Sequence, residues 1–353
     1  MSFNYISTLM LSSPLRSSIV GGESALAKAS KEATTGRFAD VGLDLGPTTG
    51  RDVALRADLS FADQLVDTNA LVAGRLEVTQ NKMGDVISTA QDFLKQMIAA
   101  RDSDNGAQII QPTAAANLQD LIGGLNSSYN GSSVFGGLNT QTPPLTNYAA
   151  GSTNKVAIGN AFSTFFGFPQ GSPLESTITP AQMTTFLNTR LDAEFVSTPP
   201  PGPPGPWNTN WSNATDQVLS NRISTTEIVN TSVSANDPNF RSLAEAYTAL
   251  SDLGTGTSKS TFQVVVDKAI GLVTSAINGL SLVGGAVGTT QQRISNSSNR
   301  LQTQRDLLNK QIVGMEAVDP AQSSARVNSL QTQIQTALSL TAQLQKISLL
   351  NYL

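Results

Sequence analysis

Residues 55–97 read LRADLSFADQLVDTNALVAGRLEVTQNKMGDVISTAQDFLKQM, and apolar side chains recur through this stretch at alternating gaps of three and four residues. Two interleaved series advance in steps of seven: Leu55, Ala62, Asn69, Leu76, Met83, Ala90 and Met97, then Leu59, Val66, Ala73, Gln80, Ile87 and Leu94. This heptad pattern is longer than one amphipathic helix of a compact domain requires. It predicts a long helix that packs along an equally long partner.

The partner helix is predicted near the other end of the chain. Apolar residues recur there in steps of seven at Val287, Ile294, Leu301, Leu308 and Met315. Asp319-Pro320 ends this helix and starts another. The second helix continues the pattern with Val327, Leu330, Ile334, Ala337, Thr341 and Leu344. We therefore expect long antiparallel coiled-coil helices formed by the N- and C-terminal segments.

The seam of this coiled coil combines apolar residues from both segments. Its predicted members are Leu59, Val66, Leu76, Met83, Ile87, Leu94, Ile294, Leu301 and Leu308. Asn69, Gln80 and Ser298 interrupt the apolar pattern with polar side chains. Because buried polar residues fix the register of a coiled coil at a cost in stability, we expect that role here.

The middle of the chain has a different composition. Shorter helices are predicted at 112–125 and 238–253, each opened by a proline. Between them, residues 141–235 contain many Gly and Pro residues and the segment STPPPGPPGPWNTNW. Prolines at this density exclude helix and central strand in that segment. The predicted fold class is mainly α, with a β-hairpin and an inserted β-rich domain of strands and loops.

Three domains follow from this organisation. They are a terminal helical assembly region of residues 1–45 with 315–353, a helical coiled-coil core of 46–140 with 236–314 that carries a hairpin near 129–140, and the inserted β-rich domain of 141–235.

Composition excludes several function classes. The chain has no histidine and no cysteine, so Ser-His-Asp and Cys-His nucleophile systems and ordinary zinc sites are unavailable. The net charge of -4 without clustered Lys or Arg disfavours a nucleic-acid partner. We expect no enzyme activity, no catalytic residues, no cofactor and no metal.

Targeting and membrane signals are weak. The N-terminal residues MSFNYISTLMLSSPLRSSIV lack a basic region followed by a continuous apolar core, which disfavours a signal peptide. The apolar stretch 264–273 is interrupted by Asp267 and Lys268, which disfavours membrane insertion.

Three further sequence patterns are explained by ordinary structural roles. The segment 254–261, GTGTSKST, lacks the Gly before Lys259 that a phosphate-binding loop needs, which favours a helix-to-helix loop. The glycines of 284–288 are expected to be weak spots in a helix or points of close helix approach. The acidic pairs Asp40/Asp44 and Asp102/Asp104 lack calcium-loop spacing.

Both chain ends are apolar. Because isolated apolar ends fray or aggregate unless they are buried, we expect burial between subunits. The predicted assembly interface comprises Phe3, Ile6, Leu9, Met10, Ile334, Leu338, Leu344, Ile347, Leu350 and Leu353.

Five segments in order carry a resemblance to a known family. They are EATTGRFADVG at 32–42, the heptad helix from Asp52, YNGSSVFGGLNT at 129–140 with Phe135-Gly136-Gly137, GTTQQRISNSSNRLQ at 288–302, and the final segment 318–353. The chain resembles the flagellin family over about residues 1–140 and 238–353. The ending SLLNYL and the stretch ADVGLDLGPTTGRD at 39–52 are more similar to its hook-filament junction group than to filament flagellins.

The resemblance implies a structural role in the flagellum. It implies export through the flagellar type III apparatus with a chaperone on the C-terminal helix, and secretion to the hook-filament junction. The implied partners are further copies in a ring, neighbouring hook-associated proteins and flagellin.

Other functions stay open at this point. The chain is a candidate filament flagellin, or a secreted adhesin that binds through its Phe- and Pro-containing middle stretch. A hydrolase would need paired acids, and Asp192 and Glu194 form the close pair in the middle segment. Such a pair alone is too little to support a mechanism.

Overall fold

The computed structural model describes residues 8–198 and 202–350, with side chains described for 13–198 and 202–343. The helices are α1 (Thr8–Thr35), α2 (Val41–Leu45), α3 (Thr49–Arg101), α4 (Gly106–Leu125), α5 (Thr153–Phe166), α6 (Pro180–Phe186), α7 (Asp192–Glu194), α8 (Pro238–Asp252), α9 (Lys259–Glu316) and α10 (Pro320–Leu350). The strands are β1 (Ser128–Tyr129), β2 (Ser132–Ser133), β3 (Ser220–Arg222) and β4 (Ile228–Asn230). This mainly helical architecture with long paired helices confirms the predicted fold class.

The described chain forms two compact units. The first, the terminal unit, contains residues 8–64 and 301–350, and the second, the central unit, contains residues 65–300. Helices α3 and α9 each contribute to both units.

In the terminal unit, α1 packs antiparallel to α10. The inward-facing residues of both helices follow the heptad spacing: on α1 the buried Ala29 and the partly buried Leu15, Ile19, Gly22, Leu26 and Ala33, and on α10 the partly buried Val327, Leu330, Ile334, Ala337 and Thr341. A Cβ placed on Gly22 would lie 3.1 Å from Cγ1 of Ile334. The two helices therefore approach closely at this glycine.

The chain reverses after α1 through a turn that is bonded to the end of α9. Gly36 has a φ of +66°, which suits glycine because it has no Cβ. The Phe38 amide donates to the carbonyl oxygen of Glu316 at 3.0 Å, and the Val318 amide donates to that of Gly36 at 3.0 Å. This pairing joins the segment after α1 to the connection between α9 and α10.

In the central unit, α3 buries a continuous stripe with gaps of three and four residues. Its members are Leu65, Asn69, Val72, Leu76, Thr79, Met83, Val86, Ala90, Phe93, Met97 and Ala100. One row of the stripe coincides with the first heptad series in the sequence, and the other row lies one residue before the second series. Phe93 meets Tyr247 of α8 edge to face, with ring centroids 5.2 Å apart.

The β1–β2 hairpin packs on α3 through a glycine. A Cβ on Gly74 would collide with the ring and hydroxyl of Tyr129. Arg75 Nη2 donates to the carbonyl oxygen of Ser133 at 2.5 Å, and burial lowers the pKa of this arginine. The adjacent Phe135 is buried against Phe240, with ring centroids 5.7 Å apart.

The middle stretch contains more helix than its composition indicates. Residues 141–235 include α5, α6, α7 and one two-stranded sheet, β3–β4, whose register pairs Ser220 with Asn230 and Arg222 with Ile228. The prolines before Trp207 end in a single helical turn, Trp207–Trp211. Proline suits the start of a helix because its missing amide would be unpaired there.

The aromatic side chains of this stretch join the same core as α3 and α8. Trp207 and Trp211 are fully buried and stack with centroids 5.5 Å apart. Trp207 Nε1 donates to Oδ1 of Asn236 at 2.8 Å. The stretch is therefore an integral part of the central unit's core.

The two proline-opened helices differ from each other. Helix α8 begins at Pro238 as predicted, and the Asp237 side chain caps it by accepting from the Asn239 amide. Helix α4 begins at Gly106, so Pro112 lies in its interior. The ring removes one helical hydrogen bond, to the carbonyl of Gln108, whose side chain is exposed.

Helix α9 contains an 18-residue window with a mean hydropathy of at least 1.2, which is long and apolar enough to cross a membrane by length and composition alone. Its apolar residues Val265, Ala269 and Val273 are fully buried in the core. Its exposed positions include Thr274 and Asn278. Of this window, 28% is buried in the described chain.

Candidate functional site

The predicted assembly interface lies on α1 and α10 where the structure describes it. Ile334 is half-buried against Gly22, and Leu338 is 51% exposed. The remaining predicted residues have side chains outside the described part of the chain: Leu9 and Met10 on α1, Leu344, Ile347 and Leu350 on α10, and Phe3, Ile6 and Leu353 at the two ends.

Further apolar side chains of the terminal unit are exposed. Val20 on α1 is 65% exposed, and Leu340 on α10 is 47% exposed. They lie outside the stripes through which α1 and α10 contact each other. Each helix therefore has an apolar position that its partner helix leaves uncovered.

The predicted seam residues fall into two groups. Leu76, Met83, Ile294, Leu301 and Leu308 are buried. Leu59, Val66, Ile87 and Leu94 are half-buried. The second group flanks the stripe because of the one-residue shift of the second row on α3.

Two of the three polar residues predicted in the seam, Asn69 and Ser298, meet in the central unit, and Gln80 does not join them. Asn69 Nδ2 donates to Oγ of Ser298 at 3.2 Å and to the carbonyl oxygen of Ile223 at 3.0 Å. Ser297 Oγ donates to the same carbonyl at 2.6 Å. The carbonyl of Ile223, at the end of β3, thus receives two donors, one from each long helix.

The tip of the β3–β4 hairpin is fixed to α9 by charge as well. Glu227 accepts from Arg293 Nε at 2.8 Å and lies 3.8 Å from Arg300 Nη2. The hairpin therefore binds both long helices next to the polar residues of their seam. The sequence indicated Asn69 and Ser298 but not Ile223 or Glu227, because local patterns do not reveal a contact over 154 residues.

A buried ionic cluster lies in the terminal unit. Glu316 and Asp52 are almost fully buried, and Arg56 pairs with both, at 3.0 Å from Asp52 Oδ2. Hydrogen bonds first to Glu316 and then to Asp52 raise the pKa of Arg56. Arg37 lies 3.5 Å from Glu316. Two acidic side chains are thus neutralised by arginines from α3 and from the turn after α1.

The acidic pair of the middle stretch lies on one short helix. Asp192 and Glu194 lie on the short helix α7, where Asp192 pairs with Lys268 at 2.6 Å. Burial opposes ionisation of Asp192, but hydrogen bonds from Glu245 and Lys268 hold its pKa below the usual value. Within the described residues no cluster of three or more acids can hold a metal ion.

The glycine-rich segment after α8 is a loop between helices, and its glycines have packing roles. A Cβ on Gly256 would collide with the buried carboxylate of Glu175. One on Gly254 would lie 3.1 Å from the ring of Phe262. The absence of side chains here lets the loop approach the middle stretch.

Sequence models of a known family match both long-helix segments of the chain. The sequence model of the bacterial flagellin N-terminal helical region matches residues 6–140, and that of the C-terminal helical region matches residues 270–353. Together these matches cover more than half of the chain. The chain belongs to the flagellin family.

As a flagellin-family chain, it is a structural component of the bacterial flagellum. A flagellar hook-associated protein of Vibrio parahaemolyticus has a similar fold, with a TM-score of 0.50 over 76% of this chain and 96% of that chain at 8% sequence identity. That similarity concerns the fold alone. No curated protein matches the chain in sequence.

Proposed function

We propose that this flagellin-family chain is the subunit that joins the flagellar hook to the filament. The observation that carries the assembly role is the α1–α10 pair, whose partners leave Val20, Leu338 and Leu340 uncovered. The junction position is supported by the resemblance of 39–52 and 348–353 to the junction group. The fold similarity to a hook-associated protein agrees with it.

In this proposal, neighbouring subunits cover the apolar positions that the single chain exposes. Fully burying one leucine-sized side chain contributes about 1.5–3 kcal/mol. Each uncovered position on α1 and α10 therefore favours contact with another copy. Repeated around a ring, such contacts stabilise a closed assembly of identical subunits.

The proposal also includes how the chain is exported and which flagellar proteins it contacts. The chain is secreted through the flagellar type III apparatus, with a chaperone that covers its C-terminal helix before assembly. In the flagellum it contacts hook-associated proteins and flagellin. The terminal helices then gain their full partners only at the assembly site.

Electron microscopy of detached flagella tests the junction position. A small epitope tag between the exposed residues 225 and 226 of the β3–β4 hairpin is located with gold-labelled antibody. We expect label at one band between hook and filament. Label along the whole filament instead identifies the chain as a filament flagellin, and absence of label from flagella contradicts the proposal.

A further inference from the structure

The tip of the β1–β2 hairpin consists of an asparagine followed by a glycine. Asn130 and Gly131 form the two-residue turn between Tyr129 and Ser132, which are paired in the register of the hairpin. Within the described residues, Asn130 is the one non-glycine residue with a positive φ, +49°. A left-handed backbone is less favourable for a residue with a Cβ than an extended one. Opening of the turn therefore releases strain at Asn130.

The asparagine side chain and the glycine amide are both uncovered. Asn130 and Gly131 are exposed. In the part of the chain that the structure describes, no hydrogen bond engages the Asn130 side-chain amide or the Gly131 backbone N–H. A Cβ on Gly131 would meet nothing within 4 Å. The side-chain carbonyl carbon and the backbone nitrogen of the next residue are thus adjacent, exposed to water and free of competing bonds.

We infer that Asn130 is a site of spontaneous deamidation. The backbone nitrogen of Gly131 loses its proton to solvent and attacks Cγ of Asn130. The bond between this nitrogen and Cγ forms, the bond from Cγ to the side-chain nitrogen breaks, and the side-chain nitrogen takes up a proton and leaves as ammonia. Water then opens the cyclic imide. Hydrolysis at Cγ gives aspartate, and hydrolysis at the backbone carbonyl gives isoaspartate.

Ring closure requires the turn to open, because the nitrogen reaches Cγ only when the peptide rotates out of the left-handed conformation. The hairpin holds its turn with two cross-strand pairs, Tyr129 with Ser132 and Ser128 with Ser133. Short exposed elements open locally at a much lower free-energy cost than the packed core does. The reactive conformation is therefore accessible without unfolding of the central unit.

A second asparagine–glycine pair, Asn105–Gly106, is held closed at the start of α4. The Gly106 amide donates to the carbonyl oxygen of Ser103 at 3.2 Å. A Cβ on Gly106 would collide with the carbonyl oxygen of Ala100. The nitrogen that would attack is thus hydrogen-bonded, and its residue is packed against the end of α3.

The third such pair, Asn278–Gly279, lies in the middle of α9. The amide of a residue within a helix is bonded to the carbonyl of the preceding turn. A Cβ on Gly279 would collide with the side-chain amide of Asn239. Ring closure here requires a packed helix to break, so the structure ranks Asn130 first among the three pairs.

The isoaspartate product should loosen the hairpin. Isoaspartate adds a methylene to the main chain, so the two residues of the turn no longer span the distance between Tyr129 and Ser132. Tyr129 lies against Gly74 of α3, and the contact depends on that register. Aspartate keeps the main chain unchanged and tolerates the left-handed conformation.

The test compares the three asparagines within one sample of the full-length chain. The protein is kept at mildly alkaline pH and digested in heavy-oxygen water, which marks any reaction that occurs during digestion. Mass spectrometry then measures deamidation, and an L-isoaspartyl methyltransferase labels isoaspartate. We expect Asn130 to react at least about tenfold faster than Asn105 and Asn278. Equal rates at the three sites overturn the inference.

The same protein in urea is the matched control. Each of the three asparagines precedes a glycine, so their rates should agree within about threefold once the fold is lost. A preference for Asn130 that persists in urea contradicts the inference, because it would arise from the neighbouring sequence and not from the hairpin.

A cross-strand disulfide tests the opening step. Ser128 and Ser133 are opposite each other in the hairpin, and the chain has no cysteine. Ser128→Cys combined with Ser133→Cys therefore allows one disulfide, which closes the hairpin. We expect the oxidised variant to deamidate at Asn130 at least about fivefold more slowly than the same variant after reduction. Equal rates in the two forms contradict the opening step and overturn the inference.

Discussion

Asn69 Nδ2 donates a hydrogen bond to Ser298 Oγ at 3.2 Å, across 229 residues of sequence, and this pair lies beside a hairpin carbonyl that both long helices contact. Asn69 is completely buried. Through Asn69, the polar part of the seam is thus bonded to the β3–β4 hairpin. This bond couples the register of α3 and α9 to the middle stretch.

Removing the Asn69 amide should destabilise the central unit. Asn69→Ala loses both hydrogen bonds, so we expect the free energy of unfolding to fall by about 1–3 kcal/mol. Ser298→Ala should cost about 1 kcal/mol or less, since the Ile223 carbonyl keeps its bond from Ser297. Urea unfolding of both single variants and the double variant measures the coupling. Strict additivity would show that the two side chains do not interact.

Arg56 should be the more important of the two arginines at Glu316. Arg56→Ala leaves Glu316 and Asp52 buried with only Arg37 nearby. We expect a loss of about 2–3 kcal/mol, reduced from the value of a fully buried pair because Arg56 is half exposed. Arg37→Ala serves as the control and should cost less. Thermal unfolding of the two variants measures the difference, and equal losses would contradict the assignment.

Glu245 should make stability depend on pH. Burial, and then the hydrogen bond with Asp192, raise the pKa of Glu245 to about 9. The unfolded chain ionises this group near its ordinary value of 4.5, so the folded chain binds the extra proton between these values. The contribution of this group to the free energy of unfolding is fully present below pH 4.5. It decreases as the pH rises towards 9, by up to about 1.4 kcal/mol per pH unit.

The Glu245→Gln variant measures that contribution. It stays neutral and retains a donor towards Asp192, so its melting temperature should fall less than the parent's between pH 5 and pH 9. Glu77→Gln, at an exposed position on α3, is the matched control and should follow the parent. Parallel curves for all three proteins would show that Glu245 does not carry the proton.

Gly137 should tolerate no side chain. Its φ is +64°, and a Cβ would lie 2.5 Å from the carbonyl oxygen of Thr215 and 2.6 Å from that of Gln217. Gly137→Ala should therefore lower the free energy of unfolding by about 2 kcal/mol or more. Gly271→Ala, in open space on α9, should raise it by up to about 1 kcal/mol. Urea unfolding compares the two variants. Similar free energies of unfolding would contradict the close contact of Gly137 with the two carbonyl oxygens.

Leu338 should affect assembly and not the folding of the single chain. It is 51% exposed, so Leu338→Ser should leave monomer melting nearly unchanged. Loss of its burial between subunits should raise the critical concentration by about tenfold or more. Gln331→Ser on the same helix is the control. Sedimentation of polymer from monomer measures both, and unchanged polymerisation of Leu338→Ser would count against the proposed interface.

A deletion of the middle stretch would not separate an adhesin from an assembly subunit. Trp207, Trp211 and Phe186 from this stretch are fully buried in the central core. Removing them would expose that core and unfold the central unit. Surface variants of the stretch are the appropriate test of a binding role.

The long helices, their antiparallel pairing and the break at Asp319-Pro320 follow from the sequence alone, because heptad spacing is a local property that side-chain burial enforces directly. The family resemblance was also present in contiguous segments. The half-buried face of α10 keeps the predicted gaps of three and four residues.

Only the tertiary structure decided which residues form the second buried row of α3. It also decided which groups bond to the polar residues of the seam. In the shifted row Phe93 packs on Tyr247 of α8, and no local pattern specifies that contact. The sequence pattern did not predict the helices of the middle stretch, for a similar reason. Their stability comes from burying Trp207 and Phe186 in a shared core rather than from their own periodicity. Spacing along the chain therefore determines the elements, whereas contacts between distant residues determine what the elements face.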